Sequence, residues 1–415
     1  MICSRGGALY SNDKGAAPDA ELYSVKVVSG TSISPAWIVD GLDYLLDQQC
    51  QVVVTAIQLA GPDLDPNGNS IWSLIYDYYA YEHNLVFATA AGNYETAITV
   101  FGDTYNSITT GGLIGTATDL YDKVGSGSNY GPTTDGRNKP DITAPSQNQW
   151  VPINGDSAWR NEGTTAGQTS WSVPHTGGVA AVLLSYANTS PEVDDNQNEV
   201  IKAVIVNSTF PNIQDEYGTA TTGQVWNNYR GYGRIDGLKA YQTLSEAKIA
   251  PDTTVNAQKG WAYQTMTKRN EVDTYQIEGL KNERLVLTVT WNRAMNSSYT
   301  ELSNINLVVS VNGPSGGTIF TETDSQNNLK KIDILLPEDG PYDVIIENTT
   351  TTRYRNYGMA FELLPPLVAD FNIDYTVNGL DFAELAAEWL NTMDLDDITT
   401  LAEKWLTYDP RYYSP

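Results

Sequence analysis

Histidine and cysteine are scarce: two of each in 415 residues. Cys3 and Cys50 both fall in the first eighth of the chain without metal-type spacing, so a multi-disulfide framework is excluded and ordinary thiols or one disulfide remain. No apolar run approaches the roughly 18 residues that a membrane-spanning helix needs. Positive charge is also short, 24 Lys and Arg against 50 Asp and Glu, a net charge of −26 that repels phosphate backbones and excludes nucleic acid as an expected partner. What is plentiful is Gly (34), Tyr (26) and Trp (10), with 41% hydrophobic residues, a composition for folded, β-rich, exported proteins rather than acidic tails. The opening MICSRGGALYSNDKG lacks the charged, apolar, small-residue order of a secretory signal.

Three units are expected from the patterning. Over residues 1–248, short apolar runs (22–28, 52–57, 85–90) alternate with amphipathic stretches (35–49, 70–83), which predicts a parallel sheet flanked by helices, an α/β unit. Over residues 249–365 the period becomes two: Leu285, Leu287, Val289 and Trp291 share one face and Thr288 and Thr290 the other, and similar runs at 305–311, 332–336 and 342–347 predict an antiparallel β-sandwich. Residues 366–415 carry 10 acidic and 2 basic side chains. Leu385 and Trp389 recur sixteen residues later as Leu401 and Trp405, which predicts two short helices that pack on each other.

The chain contains no phosphate loop, GxGxxG, GxSxG elbow or HExxH. Candidate chemistry lies in the first unit. Thr169-Ser170-Trp171-Ser172-Val173-Pro174-His175 leads into a small-residue helix, and Pro174 is tolerated best in a first turn, so Ser170 is expected at the helix start. A serine there reads as a cap for orphan amides or as a nucleophile whose developing oxyanion faces those amides. Asn93, in Ala90-Ala91-Gly92-Asn93 after an apolar strand, reads as a turn residue or as a ligand contact at a strand's carboxyl end.

The 169–175 stretch resembles the Gly-Thr-Ser-x-Ala-x-Pro-His nucleophile motif of the subtilisin-like serine peptidases, with Gln168 in place of Gly and Ser172 in place of Ala. ATAAGN is similar to the family's oxyanion segment, SNYGPTTDGRNKPDITAPS (128–146) to its Ser-x-x-Gly-Pro-Thr-x-Asp-Gly-Arg stretch, GAAPDAELYSVKVV (15–28) to the strand after the catalytic His, and residues 231–236 to its closing segment. The resemblance implies a serine endopeptidase that acts through an acyl-enzyme on Ser170, with Asn93 in the oxyanion hole and protein or peptide substrates. It also implies a cleft lined by Leu59, Ala60 and Gly61 on one wall and Ala90, Ala91 and Gly92 on the other, with Gln58 and Ala60 departing from the usual Ser-Leu-Gly-Gly.

The resemblance further places the catalytic Asp and His before residues 15–28. Neither motif occurs here, and Met1-Ile2-Cys3 would align just after the His, so the chain is expected to start where the acid and base are cut away and to be a poor catalyst alone. His175 lies five residues past Ser170, about 500° around a helix, and is expected to pack or hydrogen bond rather than serve as base. His83 is expected as an exposed cation ending a helix. The alternative is a non-catalytic descendant acting as an extracellular binding or scaffold module.

The sandwich is similar to jelly-roll modules that follow the catalytic domain in exported subtilases, which implies a secreted, extracellular location and a folding or stabilising role, with carbohydrate or protein binding as the alternative. In the tail, Asp370, Asn372, Asp374, Thr376, Asn378 and Asp381 occupy positions 1, 3, 5, 7, 9 and 12 of a Ca²⁺ loop, with Tyr375 where the sharp turn favours Gly. Bound Ca²⁺ and an acidic solvated loop both fit. The loop resembles dockerin repeats, which implies a protein partner and an EF-hand-like tail.

Overall fold

The computed structural model describes residues 2–366 apart from 8–9, 31, 60, 62–63, 95, 118–119, 153–158, 163–165, 222, 304–305 and 351–354. The tail, with its expected helices and the Ca²⁺-loop residues Asp370 to Asp381, lies outside the described residues, as does Ala60.

The N-terminal unit is a sheet between helices. Helix α1 (Pro35–Asp47) precedes strand β1 (Val52–Thr55), α2 (Ile71–His83) precedes β2 (Val86–Ala90), and β3 (Ile108–Ala117), β4 (Leu120–Val124) and β5 (Ile142–Pro145) complete the sheet. The order is β1-β2-β3-β4 with β5 also on β3, and every pairing is parallel except β3 with β4. All five residues of β2 are buried, as a central strand covered on both faces requires. Pro35 opens α1, and the Ser70 hydroxyl caps α2 by accepting from the Ser73 amide, so both helices begin where capping chemistry places them.

Two expectations are corrected. Residues 22–28 are not a full strand: only Val28–Ser29 pairs, with Ser32–Ile33. Among the described residues no strand pairs with 22–27, and α1 packs on their face, where a β-carbon on Gly41 would lie 3.0 Å from Val25 and 3.1 Å from Val27. Pro174 is not in a first turn, because α3 (Thr169–Ala187) begins five residues earlier. The proline therefore withholds a helical hydrogen bond from the Ser170 carbonyl.

Helix α4 (Asn198–Asn207) is buried at all ten positions, and α5 (Gly237–Leu244) follows, capped by Asp236. Such a helix needs cover on every side, and the C-terminal β-rich region supplies one side of it, opposite α3, α5 and the N-terminal sheet. The β-rich region's two larger sheets are built from β6 (Thr254–Val255), β7 (Lys259–Met266), β8 (Val272–Gly279), β9 (Arg284–Trp291), β10 (Leu307–Asn312), β11 (Thr318–Glu322), β12 (Leu329–Leu335), β13 (Gly340–Asn348) and β14 (Arg355–Leu364). They form one sheet in the order β6-β8-β13-β10-β11 and another in the order β7-β14-β9-β12, around a shared core that includes Tyr275, Trp291, Val344 and Phe361.

On β9, Leu285, Leu287, Val289 and Trp291 enter that core, and Thr288 and Thr290 face α4, donating to Asn207 Oδ1 (3.0 Å) and the Glu199 carbonyl (2.7 Å). A β-carbon on Gly358 of β14 would lie 2.4 to 2.5 Å from the Glu199 and Val200 backbone, so only glycine permits this approach. Arg293 also joins the two units. Its guanidinium donates to the Gly68 carbonyl (2.7 Å), Asn69 Oδ1 (2.8 Å) and Glu301, and lies 3.6 Å from the buried Asp77 carboxylate.

Candidate active site

Ser170 is the second residue of α3, and Gln168 occupies the cap position without a side-chain cap bond. The first turn of a helix leaves backbone amides unpaired. Here the Thr169 amide donates to Asn93 Oδ1 (2.7 Å) and the Trp171 amide to the Gln168 carbonyl (3.1 Å). The Ser170 amide has no partner among the described residues. The Ser170 hydroxyl is half-buried and donates to the Ala56 carbonyl at 3.3 Å, just past the carboxyl end of β1.

Asn93 follows β2 and is fixed from two directions. Its Oδ1 accepts from both the amide and the hydroxyl of Thr169 (2.7 and 2.8 Å), and its own amide donates to Gln58 Oε1 (2.7 Å). With Oδ1 so used, the Nδ2 group is the free end of the side chain, with no partner among the described residues. Fold and sequence thus bring Ser170 and Asn93 together through Thr169, and two donors stand unclaimed there: the Ser170 amide and Asn93 Nδ2. Donors at a helix start can stabilise developing negative charge on an oxygen.

The loop carrying Asn93 is held by Asn129. Its Oδ1 accepts from the Tyr94 and Thr96 amides, its Nδ2 donates to the Ala97 carbonyl, and its own amide donates to the Gly92 carbonyl. Gly92 has φ +117°, and a β-carbon there would lie 2.3 Å from Asn129 Nδ2, so the turn requires glycine. Thr169, Gln58 and Asn129 act as positioning residues, a role that sequence reasoning did not assign to any of them. Their contacts cross 32 to 76 positions, although Asn129 does lie in the 128–146 stretch and Thr169 beside the serine.

The residues expected to line a cleft are placed unevenly. Leu59 exchanges main-chain hydrogen bonds with Val100 (3.5 and 3.3 Å), Gly61 is exposed, and Ala90, Ala91 and Gly92 are buried within the sheet and its exit turn. His175 Nε2 pairs with Gln149 Oε1 at 2.9 Å, and burial pushes its pKa down to about 4, so the imidazole is neutral and engaged away from Ser170. His83 ends α2, exposed, against Tyr78 and Tyr79. Cys3 and Cys50 are free, half-buried thiols whose pKa values burial raises.

A parallel α/β sheet that sets a helix-initiating serine against an asparagine amide defines the subtilisin-like class of serine peptidase folds. The profile of the Subtilase family matches residues 4–233, and the chain belongs to that family. Pyrolysin of Pyrococcus furiosus is 25% identical over 276 residues, covering 60% of this chain and 19% of pyrolysin. The major intracellular serine protease of Bacillus subtilis is 25% identical over 217 residues, covering 49% of this chain and 61% of that protease. The chain thus spans about a fifth and three fifths of these relatives. Among solved structures, the prenylagaramide maturation protease PagA aligns with a TM-score of 0.44 and 19% identity, over 56% of this chain and 77% of that one. No helix among the described residues is long and apolar enough to cross a membrane.

Proposed function

We propose that the chain carries the nucleophile and oxyanion half of a serine endopeptidase site, with Ser170 forming the acyl-enzyme and Asn93 Nδ2 and the Ser170 amide receiving the oxyanion of a peptide substrate. The observation that carries this reading is the double hydrogen bond from Thr169 to Asn93 Oδ1, which turns the amide nitrogen free beside Ser170. A preorganised donor acts where charge develops and needs no reorganisation during reaction. Attack also requires a proton acceptor, worth about 10²- to 10⁴-fold. Neither histidine serves, because His175 is engaged with Gln149 and His83 ends α2, so the chain by itself is proposed to be a poor catalyst.

That same want of an imidazole favours a second reading, a non-catalytic pseudopeptidase that binds or scaffolds outside the cell. Labelling by a fluorophosphonate in the presence of added imidazole separates the two. The peptidase reading expects labelling that imidazole accelerates, that Ser170→Ala abolishes, that His175→Gln leaves intact, and that Asn93→Ala lowers about 10²-fold, a magnitude known from subtilisin itself. Equal labelling of wild type and Ser170→Ala removes Ser170 as nucleophile, and no labelling of either leaves the pseudopeptidase.

The division into 1–248, 249–365 and 366–415, the jelly-roll character of the middle unit and a secreted location belong to the same proposal, supported by the change of period near residue 250 and the acidic, Tyr- and Trp-rich composition. The tail is proposed as a dockerin-like module that binds a protein partner, with Ca²⁺ held by Asp370, Asn372, Asp374, Thr376, Asn378 and Asp381. Oxygen donors at those loop positions support it.

A further inference from the structure

Strands β1 and β2 run side by side as far as Thr55 and Thr89 and then part. Beyond that point a third chain lies between their extensions: the Leu59 main chain exchanges hydrogen bonds with Val100, and the Thr99 amide donates to the Ala91 carbonyl at 3.1 Å. With neighbouring strands about 4.8 Å apart, the intervening chain sets the two extensions about 10 Å apart. A slot results, with Leu59 on one wall, Ala91 on the other and the buried residues Ile98, Thr99 and Val100 as its floor. The floor is fixed, because the Ile98 amide donates to the Tyr130 carbonyl and the Thr99 hydroxyl to the Ala91 carbonyl.

One side chain crosses this slot. Gln58 leaves the first wall, and its Oε1 accepts the Asn93 amide at the end of the second at 2.7 Å. Two residues before Gln58, the Ala56 carbonyl accepts the Ser170 hydroxyl, and Asn93 carries the unclaimed Nδ2. Gln58 therefore lies between the two groups that the proposed reaction brings to one substrate carbonyl. The peptidases that the sequence resembles carry serine at this position, and a serine side chain is too short to join the two walls.

We propose that Gln58 is a specificity-determining residue that closes the slot to bulky side chains, so that the substrate residue whose carbonyl Ser170 attacks is glycine, alanine or serine. The inference rests on the peptide-substrate reading of the site. A small side chain leaves the hydrogen bond between Gln58 and Asn93 intact. Leucine or phenylalanine displaces Gln58 and strips the half-buried Asn93 amide of its acceptor, and an orphaned donor costs more than a hydrogen bond contributes, which corresponds to discrimination of about tenfold or more. Asn129 holds the Tyr94 and Thr96 amides and the Ala97 carbonyl, so the second wall and the floor are tied and Gln58 is the movable part.

The test uses the full chain and two product-type peptides with free carboxylates, acetyl-Ala-Ala-Ala and acetyl-Ala-Ala-Phe, whose binding does not depend on whether Ser170 reacts. Isothermal titration gives the ratio of their dissociation constants, and hydrogen exchange follows the Asn93 amide. Wild type should bind the alanine peptide about tenfold more tightly, and exchange at Asn93 should stay slow with that peptide and quicken with the phenylalanine one. Gln58→Ser should bring the phenylalanine peptide level with the alanine peptide or ahead of it. Gln58→Glu keeps both length and acceptor, so it should weaken both peptides through repulsion of their carboxylates and still keep the wild-type ratio. A residue that only positions Asn93 would change both affinities together, so the same ratio in wild type and Gln58→Ser overturns the proposal. Binding of neither peptide to any of the three proteins also overturns it, as does Asn93 exchange that the phenylalanine peptide leaves slow. The nucleophile reading fails separately, through equal fluorophosphonate labelling of wild type and Ser170→Ala.

Discussion

Removing Arg293 tests the electrostatic joint between the two units. Asp77 is fully buried, and burial raises its pKa from 3.8 to about 6 even with the Arg293 guanidinium 3.6 Å away. A carboxyl with a raised folded pKa gives stability that is complete below pH 3.8 and is lost as pH rises toward 6. In the wild type this loss amounts to about 3 kcal/mol above pH 6. Arg293→Met removes the main counter-charge, so the Asp77 pKa climbs further and the loss continues to higher pH. At pH 5 the folded protein holds Asp77 protonated in both forms, and the variant loses only hydrogen bonds, about 1–3 kcal/mol. At pH 8 each further pKa unit gained by Asp77 adds about 1.4 kcal/mol to that deficit. Urea denaturation of both proteins at pH 5 and pH 8 measures the difference, and comparison with wild type at each pH cancels other titrating groups. A deficit equal at the two pH values refutes charge compensation at Asp77 and leaves Arg293 as a packing and hydrogen-bonding residue alone. Adding Asp77→Asn to Arg293→Met should recover the pH-dependent part.

Two further expectations concern the same interface. Burial raises the Glu199 pKa from 4.5 to about 7, and its carboxyl accepts from Asn292 at 2.9 Å. Glu199→Gln should therefore match the wild type at pH 4 and be more stable by up to about 3 kcal/mol at pH 8, read by chemical denaturation; an unchanged difference between those pH values refutes it. Gly358→Ala should lower stability by about 2 kcal/mol or more in thermal unfolding, because the new methyl group meets the Glu199 and Val200 backbone at 2.4 to 2.5 Å, and a neutral result would mean that α4 moves freely.

Much of the architecture was legible in the chain because its signals are local. Helix α2 begins where Ser70 precedes an amphipathic run and ends at His83, and β2 is a continuous apolar run, as a doubly covered strand must be. The alternation in β9 located its core face, yet Thr288 and Thr290 on the other face are as buried as the leucines. Their cover, α4, lies far away in sequence, and no pattern within β9 reports it. Residues 22–28 show the opposite failure: their composition is that of a strand, but a strand exists only when a neighbour accepts its hydrogen bonds.

At the candidate site, sequence alone singled out Ser170 and Asn93 and found no histidine suited to act as base, because short motifs and residue counts carry that information. The tertiary structure decided which end of the Asn93 amide is free and that the Leu59 main chain is already paired with Val100. Those outcomes depend on hydrogen bonds between segments tens of residues apart, and the direction of a donor is a property of packed neighbours, not of the residue that bears it.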